Sequence, residues 1–513
     1  MIPATMSTQH PDNASMPSWV KTSIFNGEDE VFETYYAYSK LGCQEQMWDW
    51  EGKEVDAYVV MKLLEKYPDF FSEKILGKDV RLTYRIPNPW VEISERKIFT
   101  EALQSITRAY DEANQFYKEP ITPVYEVILP LTSSSRQVIL THKFYEKLIG
   151  GIDTISIEGV MISSIIGTIN PKKINVIPLI EDMNSLLNAA EIIHEVYTTL
   201  QLKEIRVFFA RSDPALNYGL IPAVLLVKNA LIQVSKLSEK HDLNIYPIIG
   251  TGPPPFRGNL NPDNIDKFLE EYSGFKTVTI QSSFKYDYPF TEAKNAIEKI
   301  NKELPKKQAE IDLNTDMISK IIKKLSKEYR KRIEKLAPLI NKIANYVPSR
   351  RKRRLHIGLF GYSRKVGNTR LPRAIKFTAA MYTIGIPPEL VGIRALNRLT
   401  EEELNIIEET YKYWRNDLQS AARYLSWDNI NYLLTEDTIE KLKVPREPVE
   451  EALVGIMKDL EFAEQNLDLR LGYTTVREKK HSNAVNNALL CIMEGEDPAR
   501  YIVEAGRLRR FLG

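Results

Sequence analysis

The chain has 513 residues, 43% of them hydrophobic and 27% charged, which excludes a disordered polymer and allows one large barrel-based domain or two to three smaller ones. A formal net charge of +1 supplies no whole-chain field for a polynucleotide or a membrane surface, and two cysteines, Cys43 and Cys491, exclude a disulfide framework and favour a reducing compartment. MIPATMSTQHPDNAS at the start has no basic segment leading into an apolar one, and no apolar run of about 20 residues stands out, so the expectation is a cytoplasmic protein without signal peptide or membrane span.

In chain order, short apolar runs alternate with amphipathic helical stretches. A short strand near residues 3–8 comes first. VRLTY (80–84), VYEVILPL (124–131), INVIPLI (174–180), IRVFFA (205–210), NIYPIIG (244–250), KTVTI (276–280) and HIGLFG (356–361) follow. Runs so short and so rich in Val, Ile and Phe read as strands buried on both faces. Helical patterns lie between them, as at 185–201 and 223–237. Eight alternating units predict an α/β fold, a TIM-type (β/α)8 barrel whose loops after the strands carry function. An open doubly wound sheet is the structural alternative, because periodicity does not establish closure.

Two stretches fall outside that rhythm. Residues 291–350 form a Lys/Glu/Ile-rich helical region, interrupted at Pro305 and Pro338, predicted as an insertion before the last strand. Residues 400–513 are helical and charged, and are expected to pack on the barrel within one catalytic domain spanning 1–513. SRRKRR (349–354) looks like a nucleic-acid patch, but reads better as a solvated turn or as phosphate-binding support near the next strand.

Two of the apolar runs stop on carboxylates, INVIPLIE at Glu181 and VFFARSD at Asp213. In a parallel α/β sheet, neighbouring strands bring such ends to one rim, where two acids are able to hold one hard cation through oxygen. The remaining strand ends present His10 in TQHPDN, Arg81 in DVRLTYR, Ser133 to Arg136, Arg257 in GTGPPPFRGN, Gln281, Arg364 in GYSRK and Arg373 in LPRAIKF. One histidine, two carboxylates and several arginines suit a polyanionic substrate chelated to a divalent metal, with arginine forks matching phosphate or carboxylate.

Each feature also has a plain structural reading. Asp213, before Pro214, reads equally as a helix N-cap, and Glu181 and Asp182 as complements to a helix dipole. GTGPPPFRG is neither a Walker loop nor a dinucleotide fingerprint, because its prolines remove backbone donors. His142, His194, His241, His356 and His481 read as structural. His10 differs through its polar neighbours.

Taken in order, these segments resemble the phosphoenolpyruvate carboxylase family, in its shorter archaeal-type branch. VIPLIEDMNSLLNA is similar to the family's PLFE-type metal segment and ARSDPALNYG to its YSDSxKDxG motif, which implies metal ligands at Glu181 and Asp213, for Mg2+ or Mn2+. GTGPPPFRGN resembles the GRGGxxGRGG loop and aligns Arg257 with its second arginine. TQHPDN resembles TAHPTE, implying His10 as the catalytic histidine. GYSRKVGNTRLPRAIKF resembles SRPxKR…LRAIPW, implying substrate-binding Arg364 and Arg373. DVRLTYR resembles DVRQxS, implying a phosphate or bicarbonate contact at Arg81, and TIQSSFKYDY echoes TEQGExIxFKYG. The likeness runs from residue 5 to about 400 in one order.

The departures are definite. Leu216 stands where the family's SDxxKD has lysine, Thr251 where the loop has its first arginine, prolines where it has central glycines, and FLG where the longer enzymes end in NTG. These put family-wide aspartate inhibition in doubt. The resemblance implies carboxylation of phosphoenolpyruvate with bicarbonate to oxaloacetate and phosphate, through carboxyphosphate and an enolate that a metal stabilises as a Lewis acid. It also implies a homotetramer. Gly252 and Gly258 are expected to act as pivots of a loop, stiffened by prolines, that closes over the substrate. The competing readings are another barrel enzyme acting on phosphoenolpyruvate or pyruvate enolate, such as a phosphotransferase or lyase, and a non-catalytic nucleic-acid-binding helical protein.

Overall fold

Alternation along the strands explains how the chain closes on itself. In Glu204–Ala210, Arg206, Phe208 and Ala210 point one way, while Ile205, Val207 and Phe209 join the large core on the other side. Eight such strands form a closed, all-parallel barrel: β1 Thr5–Ser7, β2 Glu45–Asp49, β3 Arg81–Arg85, β4 Glu126–Leu129, β5 Asn175–Ile180, β6 Glu204–Ala210, β7 Asn244–Gly250 and β8 Thr277–Ile280. Each pairs with its neighbours in sequence, and β1 closes the ring by pairing Thr5 with Val278 and Met6 with Glu45. The structure is a computed structural model describing residues 2–310, 312–354, 365–366 and 369–513, with the backbone alone at 365 and 366.

The barrel interior is layered. Its middle is apolar, built from Met6, Met47, Ile128, Ile177, Leu179, Phe208, Ala210 and Ile248. Its N-terminal end is a buried ionic plug. There Arg206 donates to Glu45 at 2.7 Å, to Glu126 at 3.0 Å and to the Thr277 hydroxyl at 3.1 Å. Arg81 Nη1 adds a bond to Glu126 at 3.0 Å. The C-terminal end is open and carries the candidate site.

Two expectations change. The predicted set of eight strands omits β2 and includes 356–361, which lies outside the described residues. EQMWD escapes a search for apolar runs because its inward positions carry Glu45 and Asp49 around Met47. The barrel is therefore complete at Ile280, and the long helices after Phe290 follow the last barrel strand rather than interrupting the strand series. Helix Phe290–Glu303 ends in a 3-10 turn at Pro305, and helix Thr315–Ala344 continues through Pro338, with Asn314 capping its start on Met317 N–H.

The outer faces of the strands, helix Thr315–Ala344 and the helices between 401 and 494 share one hydrophobic core, while helix Ala499–Arg509 packs Ile502 and Ala505 into smaller clusters. Helix Leu220–His241 is long and apolar enough to cross a membrane by length and composition, although no such run stood out in the sequence. In the fold, 72% of its most apolar 18-residue stretch is buried against the protein itself.

Candidate active site

A cavity of about 370 Å³ sits on the C-terminal rim, lined by His10, Arg85, Glu181, Asp213, Arg257, Gln281, Arg353 and Arg373, among others. Five residues expected from the sequence, His10, Glu181, Asp213, Arg257 and Arg373, therefore meet in one place. Arg364 lies outside the described residues.

Arg81 does not reach this cavity. It shares the inward face of β3 with Thr83 and Arg85, but it stands at the opposite end, paired with Glu126 and lying over the Tyr125 ring at 5.3 Å. Four residues of strand span about 13 Å, so the rim position belongs to Arg85. Two inward-facing arginines on one strand have the same alternation signature, and only their ends of the barrel tell them apart.

The carboxylates divide their work. Asp182 is the N-cap of the short helix after β5 and accepts Ser185 N–H at 3.0 Å, while Glu181, one residue past the last paired position of β5, lines the cavity. Asp213 lies in the first turn of helix Ser212–Tyr218, where Arg211 holds the N-cap position, so it is not the cap its sequence allowed. Two carboxylates from adjacent strand ends fit a hard divalent cation that takes its remaining ligands from water and substrate oxygens. Among the described residues, no set of three or more His, Cys, Asp or Glu converges.

His10 follows β1 in a tightly tied loop. Its Nδ1 lies 2.9 Å from Thr8 Oγ1, and its carbonyl accepts Asp12 N–H at 3.1 Å. Burial, then the positive charges of Arg85, Arg257, Arg353 and Arg373, hold its imidazole well below the ordinary histidine range. That shift favours the neutral imidazole.

Arg257 is clamped from three loops. Its guanidinium donates to Ser212 Oγ at 3.1 Å, to Gln281 Oε1 at 2.5 Å, to the main-chain oxygen of Gly513 at 2.6 Å and to Asp12 Oδ2 at 3.3 Å. A Cβ on Gly252 would come within 2.9 Å of this guanidinium, so glycine there lets the loop approach it closely. The loop is also pinned. Phe256 is fully buried and stacked on Phe377, its N–H binds Glu389 Oε1 at 2.9 Å, and Arg211 holds its carbonyl at 3.2 Å. The prolines contribute stiffness, but in this structure the loop is an anchored wall rather than an open lid.

A further cationic group, Arg85, Arg353 and Arg373, lines the same cavity, and of these only Arg373 stands in a motif that marks it in the sequence. Arg85 makes a two-point contact to Asp49, at 2.9 and 2.6 Å, and reaches Glu51 at 2.9 Å. Arg373, at the N-cap of helix Ala374–Ile384, makes its own two-point contact to Glu51. Arg353 completes the group. Burial, then Arg373, lowers it to about 9. Burial alone would raise Glu51, but Arg373, Arg85 and Arg353 outweigh it and keep this carboxyl well below its ordinary value.

SRRKRR is thus neither a nucleic-acid patch nor a solvated turn. Arg350 binds the Asn13 and Ala14 carbonyls, Arg351 binds Glu30 and Glu33, Arg354 binds Glu95, and Arg353 faces the cavity. Of the other histidines, His142 binds the Ile174 carbonyl, His194 and His241 lie ring to ring and His481 packs against Arg509, in keeping with structural roles. His356 lies outside the described residues.

Comparisons with known proteins match the chain along its whole length. A family profile described as phosphoenolpyruvate carboxylase matches residues 2–513. The phosphoenolpyruvate carboxylase of Caldivirga maquilingensis is 44% identical over 522 residues, covering 100% of both chains. That of Pyrococcus horikoshii is 49% identical over 443 residues, covering 86% of this chain and 92% of its own. Among solved structures, an HpcH/HpaI aldolase from Desulfitobacterium hafniense DCB-2 gives a TM-score of 0.31 at 12% identity, over 55% of this chain and 86% of that one, a likeness too low to carry an argument.

Proposed function

The chain belongs to the phosphoenolpyruvate carboxylase family and, as a carboxy-lyase, joins phosphoenolpyruvate to bicarbonate to give oxaloacetate and inorganic phosphate; we propose that the rim cavity is where this happens. One observation carries that placement: His10, Glu181, Asp213 and a set of arginines that includes Arg85, Arg257, Arg353 and Arg373 line a single cavity at the functional end of the barrel.

Two anions have to meet, and a reactive enolate has to be kept from water. Arg85, Arg353 and Arg373 neutralise the charge of phosphoenolpyruvate, and Arg257 holds the bicarbonate. Arg364 is a further substrate contact on the family pattern. A bicarbonate oxygen attacks phosphorus, and the bond from phosphorus to the enol oxygen breaks, leaving carboxyphosphate and the enolate of pyruvate. Neutral His10 takes the carboxyl proton of carboxyphosphate, which splits into carbon dioxide and phosphate. The enolate C3 then attacks carbon dioxide within the same walls. Pinning Arg257 through Asp12, Gln281 and Ser212 fixes it before the substrate arrives, which is how an electrostatic donor acts without reorganisation cost.

Members of this family are generally metal-dependent. Glu181 and Asp213 would hold Mg2+ or Mn2+, which supplies Lewis-acid stabilisation of charge on the enol oxygen. The active form is a cytoplasmic homotetramer. The arginines of the basic run are bound within the fold, which leaves little of that run for a polynucleotide.

Oxaloacetate formation from phosphoenolpyruvate and Mg2+, with and without bicarbonate, is the direct test. The expected result is bicarbonate-dependent product that is lost in Asp213→Ala. Turnover with no bicarbonate requirement would move the assignment to a phosphotransferase or lyase.

A further inference from the structure

The segment between Asp153 and Lys172 exposes more apolar surface than a solitary chain normally tolerates. Ile155, Ile157, Val160, Met161, Ile165 and Ile166 are 43%, 59%, 50%, 44%, 72% and 50% exposed. All six lie on or beside a two-residue-per-strand hairpin, Ser156–Ile157 against Val160–Met161, or on the single helical turn Ser163–Ile166 that follows it. Contiguous apolar patches on soluble monomers seldom exceed a few hundred Å² unless something binds there. A two-stranded hairpin is also marginal alone and needs a surface to pack on.

Its base is nevertheless built to hold one position. Asp153 takes Ile169 N–H at 2.9 Å and Lys172 Nζ at 2.5 Å. The turn is tight, with Glu158 at φ 50° and Gly159 at φ 82°, the left-handed pair favoured in two-residue hairpins. Glu158 is the sole charged residue between Asp153 and Lys172.

The same chain offers the complement. A cleft of about 730 Å³ runs beside helix Ser135–Phe144, with Trp90, Leu140, Phe144 and Leu148 as its apolar lining and with Arg96, Lys97, Lys143 and Lys147 among its lining residues. Trp90, Leu140 and Leu148 are 41%, 38% and 52% exposed. Leu148 lies seven residues before Ile155, and the turns Tyr145–Ile149 and Ile152–Thr154 that lead from one to the other pack together, so cleft and hairpin are neighbours. An apolar hairpin with one acidic tip matches an apolar cleft edged by four cations.

We propose that this surface is a subunit interface, in which the hairpin of one copy seats in the cleft of a second copy and receives the partner's hairpin in return. A twofold axis between neighbouring patches makes such an exchange closed and isologous. The aliphatic side chains supply the desolvated centre, and Glu158 meets the cationic edge and fixes the register. This rests on the oligomeric reading above and adds to it the surface that assembles.

Sedimentation velocity on the full-length chain, across nanomolar to micromolar concentrations, tests both parts. The wild type is expected to sediment as an oligomer. Ile157→Asp with Ile165→Asp, on exposed positions that leave the fold and its melting curve intact, should release a smaller species and raise the dissociation constant about tenfold or more. Glu158→Lys should weaken association, and adding Lys97→Glu and Lys147→Glu should restore it. A wild type that stays monomeric overturns both the oligomer and this interface. An oligomer unaffected by the Ile157/Ile165 pair overturns the hairpin alone. Failure of the reversed charges to restore assembly overturns the cleft as its seat.

Discussion

Glu51 takes both terminal nitrogens of Arg373, at 3.3 and 3.2 Å, and the same carboxylate reaches Arg85 at 2.9 Å. One acid from the loop after β2 thus ties together an arginine from β3 and an arginine from the helix at 374. Without it, three guanidinium groups would repel one another across the cavity wall, since Arg353 stands in the same field.

Removing that charge should therefore act through substrate binding. Glu51→Gln keeps the shape but gives up charge-assisted bonds to two arginines, each worth about 1.5–3 kcal/mol. The KM for phosphoenolpyruvate should rise by about tenfold or more while kcat falls less, and Glu51→Asp should recover part of the loss. A purely structural role would instead lower the amount of folded enzyme and leave KM unchanged.

Arg81 and Arg85 make a matched pair of tests. Arg85→Ala removes a cavity cation and should depress kcat/KM by about 10²–10³-fold, the usual cost of losing one preorganised donor. Arg81→Ala breaks one strut of the plug at the other end of the barrel, where Glu126 keeps Arg206 as a partner. It should lower the melting temperature and leave kcat/KM close to wild type. Steady-state kinetics and a thermal melt on the two variants decide the matter, and equal kinetic losses would return Arg81 to the site.

How much the sequence discloses follows from these same residues. Glu181 and Asp213 were legible because each ends an apolar run on adjacent strands, and strand ends of a parallel barrel share a rim. Arg81 was mistaken for Arg85 because alternation assigns a face and not a height. β2 was hidden because Glu45 and Asp49 point into the barrel, where the plug and the arginine cluster use them. Arg353 and Glu51 carry no strand or helix signature at all. Arg353 reaches the cavity, and Glu51 reaches the arginines that line it, because the 349–354 strap and the loop after β2 are folded together, as at the Lys53–Arg353 bridge.

The pH dependence of catalysis should report His10. The base must be neutral, and burial with four neighbouring guanidinium groups moves its titration well below 6.5. Activity should therefore hold as pH falls to 6.5 and decline only below it. His10→Asn should lose oxaloacetate but retain some phosphate release with pyruvate as the product. An acid limb of kcat/KM centred at or above 6.5, or a normal oxaloacetate yield from the variant, would remove His10 from the role of base.

Stability should run the other way with pH, because of Glu389. Its Oε1 accepts both Phe256 N–H and the Tyr382 hydroxyl at 2.9 Å, so it anchors the loop that carries Arg257. Burial raises this acid from 4.5 to about 7. A carboxyl whose folded pKa lies above its unfolded value stabilises the fold fully below the unfolded pKa, and that contribution drains away as pH rises through the folded one. Between pH 4.5 and about 7 the unfolded chain has released the proton while the folded chain keeps it. Each pH unit in that window costs up to about 1.4 kcal/mol. Buried Asp287, raised to about 7, and Asp417, raised to about 6, add slopes of the same sign. Glu389→Gln retains an acceptor for Phe256 and cannot ionise, so its melting temperature should fall less steeply than that of the wild type between pH 5 and 7.5. Parallel melting curves for the two proteins across that range would show that Glu389 is already ionised in the folded enzyme.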